Sequence, residues 1–196
     1  MRRAIAVLGL AVMMGIAASA QAQNNAYQGW RARGVQSIEI SPGACIPLFI
    51  LDADFSMAET TNLSPGATFS VRYEYLLSRS LGVGATMAGA FTSTIGGRTL
   101  FMAPVTGTVY WYGGSDTLEF LAGGEIGFNV MRLSGKGLLS PIVKLGGGIA
   151  RTISDSWSIG GRILYWFAPE LHTGTYAGLT MYGNFLEISF GARYHF

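Results

Sequence analysis

The stretch Phe185-Leu-Glu-Ile-Ser-Phe-Gly-Ala-Arg-Tyr-His-Phe196 decides the fold. Leu186, Ile188, Phe190, Ala192, Tyr194 and Phe196 fall on one face, and Phe185, Glu187, Ser189, Gly191, Arg193 and His195 on the other. A period of two belongs to a strand, not a helix. One face is uncharged and ends on an aromatic residue, while the other holds the charges. Such a strand suits a wall between lipid and a polar interior.

The N-terminus carries the features of an export signal. Arg2 and Arg3 precede an apolar run from Ala4 to Ala18, and Ala20-Gln21-Ala22 offers a small-x-small cleavage site. The expected organisation is a signal peptide over 1–22, an N-terminal segment over 23–34 that stays in the periplasm, and one barrel domain over 35–196. Taking Arg2 and Arg3 from the 13 basic residues leaves 11 against 11 acidic ones. A neutral mature chain gives no reason to expect a nucleic-acid partner.

Composition narrows the class further. Charged residues make up 12% of the chain, against a usual ~25%, so the surface is not that of an ordinary soluble domain. Past the signal region no run of ~18 apolar residues exists, so no spanning helix is expected. A closed barrel is the other way to satisfy every backbone group in lipid. The single cysteine, Cys45, excludes an intrachain disulfide and reads as a small, half-buried strand residue.

Eight segments alternate along the chain: Val35 to Pro47, Gly66 to Leu76, Leu81 to Thr94, Leu100 to Tyr112, Thr117 to Met131, Leu138 to Ala150, Ser158 to Phe167 and the terminal stretch. Pro42-Gly43 predicts a bulge or kink in the first. Arg72 and Glu74, Glu119 and Glu125, and Glu187 and Arg193 are even numbers of positions apart, so each pair shares a face. A lipid-facing charge near the midplane costs ~2–4 kcal/mol, and this segregation avoids it. The links alternate too. Leu77–Ser80, Gly113–Asp116 and Arg151–Trp157 are short, while Leu48–Pro65 and Ala168–Gly183 are long and the other two outer links, Ile95–Thr99 and Arg132–Gly137, are shorter. Short periplasmic turns and longer outer loops place both termini in the periplasm. Tyr73, Tyr75, Trp111, Tyr112, Trp157, Tyr194 and Phe196 would then form one aromatic girdle, and Phe91, Phe101, Phe128 and Phe167 the other.

The expected fold is therefore all-β, a closed antiparallel eight-stranded transmembrane β-barrel. Ser41-Pro-Gly-Ala-Cys-Ile-Pro47, Ser64-Pro-Gly-Ala-Thr-Phe-Ser-Val-Arg-Tyr-Glu-Tyr75 and Gly191-Ala-Arg-Tyr-His-Phe196 resemble segments of small outer-membrane barrels, the group of OmpX and the OmpA membrane domain. The resemblance implies a bacterial outer-membrane location among lipid and lipopolysaccharide-type glycolipid. It also implies insertion by the barrel-assembly machinery, with Tyr194 and Phe196 as the assembly signal. It does not imply one activity.

Two constellations could carry function. Glu39, Arg72, Glu74, Glu119, Glu125, Lys144, Arg162, Glu187 and Arg193 all face inward. An eight-stranded barrel is just wide enough for its side chains to fill, so these predict a plugging charge network rather than a wide channel. The other is His172, in Glu170-Leu-His-Thr-Gly-Thr-Tyr-Ala-Gly178, which resembles the His-x-Ser neighbourhood of outer-membrane lipid A deacylases. Gly174 stands where those enzymes need their serine nucleophile, which leaves His172 a weak catalytic candidate. His195 reads as a polar rim residue. The expectation is a non-enzymatic barrel with a structural or adhesin-like surface role, acting through loops 48–65 and 168–183 on an extracellular protein or glycan. No cofactor or metal is expected. A lipid A-modifying enzyme or a narrow channel is the alternative.

Overall fold

The computed structural model describes residues 31–57, 61–115, 117–133, 136–172 and 174–196. These form eight strands: β1 Gln36–Leu51, β2 Leu63–Ser78, β3 Leu81–Thr94, β4 Thr99–Gly114, β5 Leu118–Leu133, β6 Lys136–Ser154, β7 Trp157–Glu170 and β8 Met181–His195. A 3-10 turn, Gly174–Leu179, lies between β7 and β8. The expected signal peptide and residues 23–30 lie outside the described residues.

Every neighbouring pair of strands is antiparallel, and β1 bonds to both β2 and β8, so the sheet closes. Closure leaves no edge strand to be satisfied by water that lipid does not contain. The backbone pairing also fixes the stagger. A path across the strands from Ser37 runs through Glu74, Gly84, Thr108, Glu125, Lys144, Trp166 and Phe185, and returns to β1 at Pro47, ten residues further along. With strands ~4.8 Å apart and a rise of ~3.3 Å per residue, that stagger tilts the strands by about 40°.

Alternation then sorts the side chains. Val105, Val109, Ile126, Phe128, Leu145, Ile163 and Phe190 point outward and are exposed. Their sequence neighbours point into a buried lumen that holds most of the polar side chains of the strands. Aromatic rings mark both rims. Where the chain enters and leaves, Tyr194 packs against Trp157 (5.1 Å between centroids) and Phe196 (6.0 Å). At the opposite rim Phe91 meets Phe101 at 4.9 Å, and Phe167 stacks on Tyr182 at 5.8 Å.

Several expectations are corrected. Against β2 the pairing runs unbroken through Pro42↔Phe69 and Gly43↔Thr68; against β8 it skips Ser41 and Pro42 without a shift of register, and the register shifts only between Pro47 and Phe49. Pro42 has no N–H to give the ladder, and the unshifted pairs on either side, Ile40↔Ala192 and Gly43↔Ser189, hold the register without a bulge. Cys45 is not half-buried but wholly buried, facing the lumen beside Glu187. Tyr112 does not join the girdle, because it shares the inward parity of Tyr110 and is buried. The long loops are shorter than expected, since β1 continues to Leu51, β2 starts at Leu63, β7 ends at Glu170 and β8 starts at Met181. Phe49, Ile50 and Leu51 are therefore half-buried strand residues.

At the chain-end rim the turns are tight. Gly114 adopts φ +99°, and a Cβ there would lie 2.3 Å from the Leu118 carbonyl oxygen, so the β4–β5 turn requires glycine.

Depth in the wall should set the cost of an outward charge. Ile126, 69% exposed at mid-wall, is expected to lose ~2–4 kcal/mol as Ile126→Arg. Leu139, near the loop rim, should lose only ~0–1 kcal/mol as Leu139→Arg. Urea unfolding in lipid vesicles checks both, and equal costs would contradict this placement.

Candidate functional site

The lumen is built around Glu39. Arg72 Nη2 donates to Glu39 Oε2 at 2.6 Å, and Arg193 Nε to the same oxygen at 3.0 Å. Arg162 Nε lies 3.0 Å from Glu39 Oε1, an ion pair not aligned as a hydrogen bond. Ser41 Oγ donates to that second oxygen at 2.9 Å. One carboxylate thus faces three guanidinium groups. The register explains it, because Glu39 is directly opposite Arg72 on β2 and Arg193 on β8.

The outer members of the cluster spread that charge. Arg72 Nη1 reaches Glu74 Oε2 at 3.1 Å and the Tyr112 hydroxyl at 3.3 Å. Arg193 Nη1 donates to Glu119 Oε1 at 2.7 Å. A second centre sits on Glu125, which accepts from Thr106 at 2.8 Å and Tyr110 at 2.9 Å, with Lys144 Nζ 3.4 Å away. Arg162 joins the two centres, since its Nη1 is 3.8 Å from Glu125. Eight of the nine expected lumen residues are thereby linked by ion pairs. Glu187 enters differently: Trp166 Nε1 donates to its Oε2 at 2.9 Å, and Lys144 Nζ sits 4.0 Å over the Trp166 ring.

Sequence parity gave the charged members but not Tyr110, Tyr112, Trp166 and Thr106 as their partners. The signal was present, because an inward Tyr or Trp brings a polar handle that a buried site must satisfy. Parity also left out the apolar half of the lumen. Cys45, Ala90, Met102, Ile142, Trp166 and Phe185 are buried together toward the loop end of their strands. The charges and this apolar plug fill the interior. Two internal voids, one beside Glu39 and Arg162 and one beside Glu74 and His195, measure about 10 Å³ each. That is room for about one water molecule, not a solute.

The loop rim presents different chemistry. Phe55 stacks on Tyr182 at 4.5 Å, and Tyr182 on Phe167, so three rings climb from the wall into the β1–β2 loop. Phe55 is 62% exposed and sits at φ +62°, a conformation bulky residues rarely adopt. Its N–H donates to the Asp52 carbonyl at 2.9 Å. Ser56 donates its hydroxyl (2.7 Å) and its N–H (3.2 Å) to Asp54, which holds that carboxyl below its usual pKa. His172 Nε2 lies 3.1 Å from Glu170 Oε1, and its backbone N–H donates to Thr180 Oγ1 at 3.1 Å. Gly174 adopts φ +64°, and Thr173 lies outside the described residues. Among the described residues no cluster of three or more His, Cys, Asp or Glu could hold a metal ion.

A family model matches residues 18–194. Solved structures with the same fold include Neisserial surface protein A, with a TM-score of 0.56 at 10% identity over 83% of this chain and 97% of that one. Another is outer membrane protein OprG from Pseudomonas aeruginosa, with a TM-score of 0.53 at 11% identity over 85% and 98%. The N-terminal β-barrel domain of Pseudomonas aeruginosa OprF gives 0.50 at 9% identity over 86% and 100%. The chain has the fold of the small eight-stranded outer-membrane β-barrel proteins. No curated protein matches its sequence. Among the described residues the lumen charges are buried, and the exposed polar and aromatic groups lie at the rims and on the wall.

Removing the hub should unbalance the lumen. Glu39→Ala leaves three buried guanidiniums facing one another and is expected to cost ~3–5 kcal/mol. Glu187→Gln keeps an acceptor for Trp166 and should cost about 1 kcal/mol or less. Urea midpoints of the two variants in lipid vesicles test the contrast.

Proposed function

We propose that this outer-membrane barrel is a non-enzymatic display scaffold, with both termini in the periplasm and the β1–β2 and β7–β8 loops outside the cell. Its partner is an extracellular protein or glycan. The observation that carries the reading is Phe55. A large aromatic side chain is held exposed, in an unfavourable backbone conformation, on a column of stacked rings. Strain of this kind clusters at binding sites, where rigid support makes it affordable. Exposed aromatics on a fixed base contact proteins and sugar faces at small entropic cost. Leu171 and Leu179, exposed on the other loop, widen the apolar surface.

Two rivals have weaker support. A narrow channel needs a path through the lumen, and the ion pairs with the apolar plug occupy it. A lipid A-modifying enzyme would use His172, which does have Glu170 to orient it. However, Gly174 offers no hydroxyl where the nucleophile is needed, and the Thr180 hydroxyl is engaged with the His172 backbone.

The experiment compares cells expressing wild-type protein, Phe55→Ala, a deletion within 53–57, and His172→Ala. Binding to immobilised extracellular-matrix proteins and glycans is expected to fall about tenfold for the two loop variants, as for loss of an interface hot spot. His172→Ala should leave both binding and the lipid A acyl pattern unchanged. An acyl pattern that depends on His172 would replace the reading with the enzymatic one. A steady ionic current in planar bilayers would replace it with the channel. Protease added to intact cells should cut within 52–62 and spare Arg31–Gly34. For assembly, deleting Phe196 is expected to lower the fraction of protein that migrates as a heat-modifiable barrel, as a terminal signal read by the assembly machinery requires.

A further inference from the structure

On the outer wall, near the chain-end rim, residues of β1, β5, β6, β7 and β8 line an open apolar furrow of about 1180 Å³. The sequence creates it by placing Gly161 and Ala192 at outward positions among bulky ones. Ile159 pairs with Ala192, and Gly161 with Phe190, so the two small residues sit on a diagonal between β7 and β8, each opposite a bulky one, with Ile40 opposite Ala192 on β1. A Cβ added at Gly161 would already meet the Phe190 ring at 3.3 Å. The lower end of the furrow is not apolar. Arg151 lines it there, exposed on the outward face of β6 between Leu118 and Ile159. Among the described residues no acid forms an ion pair with Arg151. Trp157 and Tyr194, which pack on each other, border the same end.

An outward arginine is tolerated at the interface but costly deeper in the wall. Trp and Tyr beside it mark headgroup depth. A cation at headgroup depth, with a long apolar furrow running from it toward the midplane, has the chemistry of one lipid molecule. We propose that this furrow binds one glycerophospholipid, its phosphate on Arg151 and an acyl chain laid over Gly161 and Ala192. The assignment to the periplasmic leaflet rests on the orientation given above, whereas the site itself does not. A second copy of the barrel fits less well. A two-fold contact through this furrow would bring two Arg151 side chains toward each other in a poorly screened setting.

The test is native mass spectrometry of the full chain in detergent, titrated with dipalmitoyl phosphatidylglycerol. Wild type should hold one lipid per barrel in preference to further copies. Arg151→Gln should lower that occupancy about fivefold, the effect of one basic residue at an anionic surface. Ala192→Leu fills the furrow from outside the lumen and should lower it at least as much. Arg132→Gln, an outward cation at the opposite rim, should match wild type. Heat-modifiable migration on gels confirms that each variant is folded, and Gly161→Val serves if Ala192→Leu is not. Unchanged occupancy in both Arg151→Gln and a folded furrow-filling variant overturns the proposal. So does a wild-type dimer that Ala192→Leu dissociates without loss of lipid. Because the titration is done in detergent, a reversed orientation, seen by protease cutting at Arg31–Gly34, would move the site to the other leaflet without removing it.

Discussion

Lipid offers no hydrogen bonds, and the β1–β8 pairing is this chain's answer to that constraint. Without it β1 and β8 would each present a row of unpaired backbone groups at membrane depth, at several kcal/mol per group. Closing the ring with a stagger of ten residues fixes the tilt and hence the bore. A bore of that width is too narrow for bulk water and too wide to leave empty. The need to fill it explains why so many inward positions are either large or charged.

Charges inside such a bore are stable only as a set. Glu39 sits where three strands bring guanidiniums together, and each of those arginines has a second carboxylate or a tyrosine elsewhere. Replacing any member therefore changes the charge seen by several others. In this respect the network differs from a surface salt bridge, which contributes about 0–1 kcal/mol because water takes over for a lost partner. It also specifies register. Slipping β1 by one residue would send Glu39 into lipid and Ile38 and Ile40 into the lumen, a penalty that no other pairing repairs.

Period-two parity made the fold, the strand count and all nine lumen charges legible, because lipid enforces the inside–outside rule across the middle of the wall. Parity does not give height. Cys45, Met102, Ile142 and Phe185 lie far apart in the chain and meet only because the stagger carries each strand up relative to the last. No local pattern encodes that meeting, so the apolar plug went unread. Tyr112 shows the same limit: an aromatic near a strand end suggests a girdle, yet its parity with Glu74-facing positions puts it inside. Pro42-Gly43 misled for another reason. Proline removes one ladder donor, and the flanking pairs hold the register. Alternation overestimates the loops because it stops at the loop-rim strand ends, where Ala168 and Pro169, and Asn184 and Phe185, are buried in succession and Ser64 and Pro65 are exposed in succession.

Glu187 shows how the two halves of the lumen are joined. Five acids face four bases inside, so one carboxylate lacks a cation of its own. Glu187 is that carboxylate, opposite Cys45 at the boundary with the apolar plug. Trp166 donates its N–H to Glu187 while presenting its ring to Lys144, whose ammonium also faces Glu125. The indole therefore relays the attraction of a cation that lies on the charged side. Its remaining surface packs among Ile142, Phe185 and Ala168 as an ordinary core residue. One side chain that is polar at its edge and apolar in its body closes the charged base and opens the apolar plug, with no water-filled gap required between them.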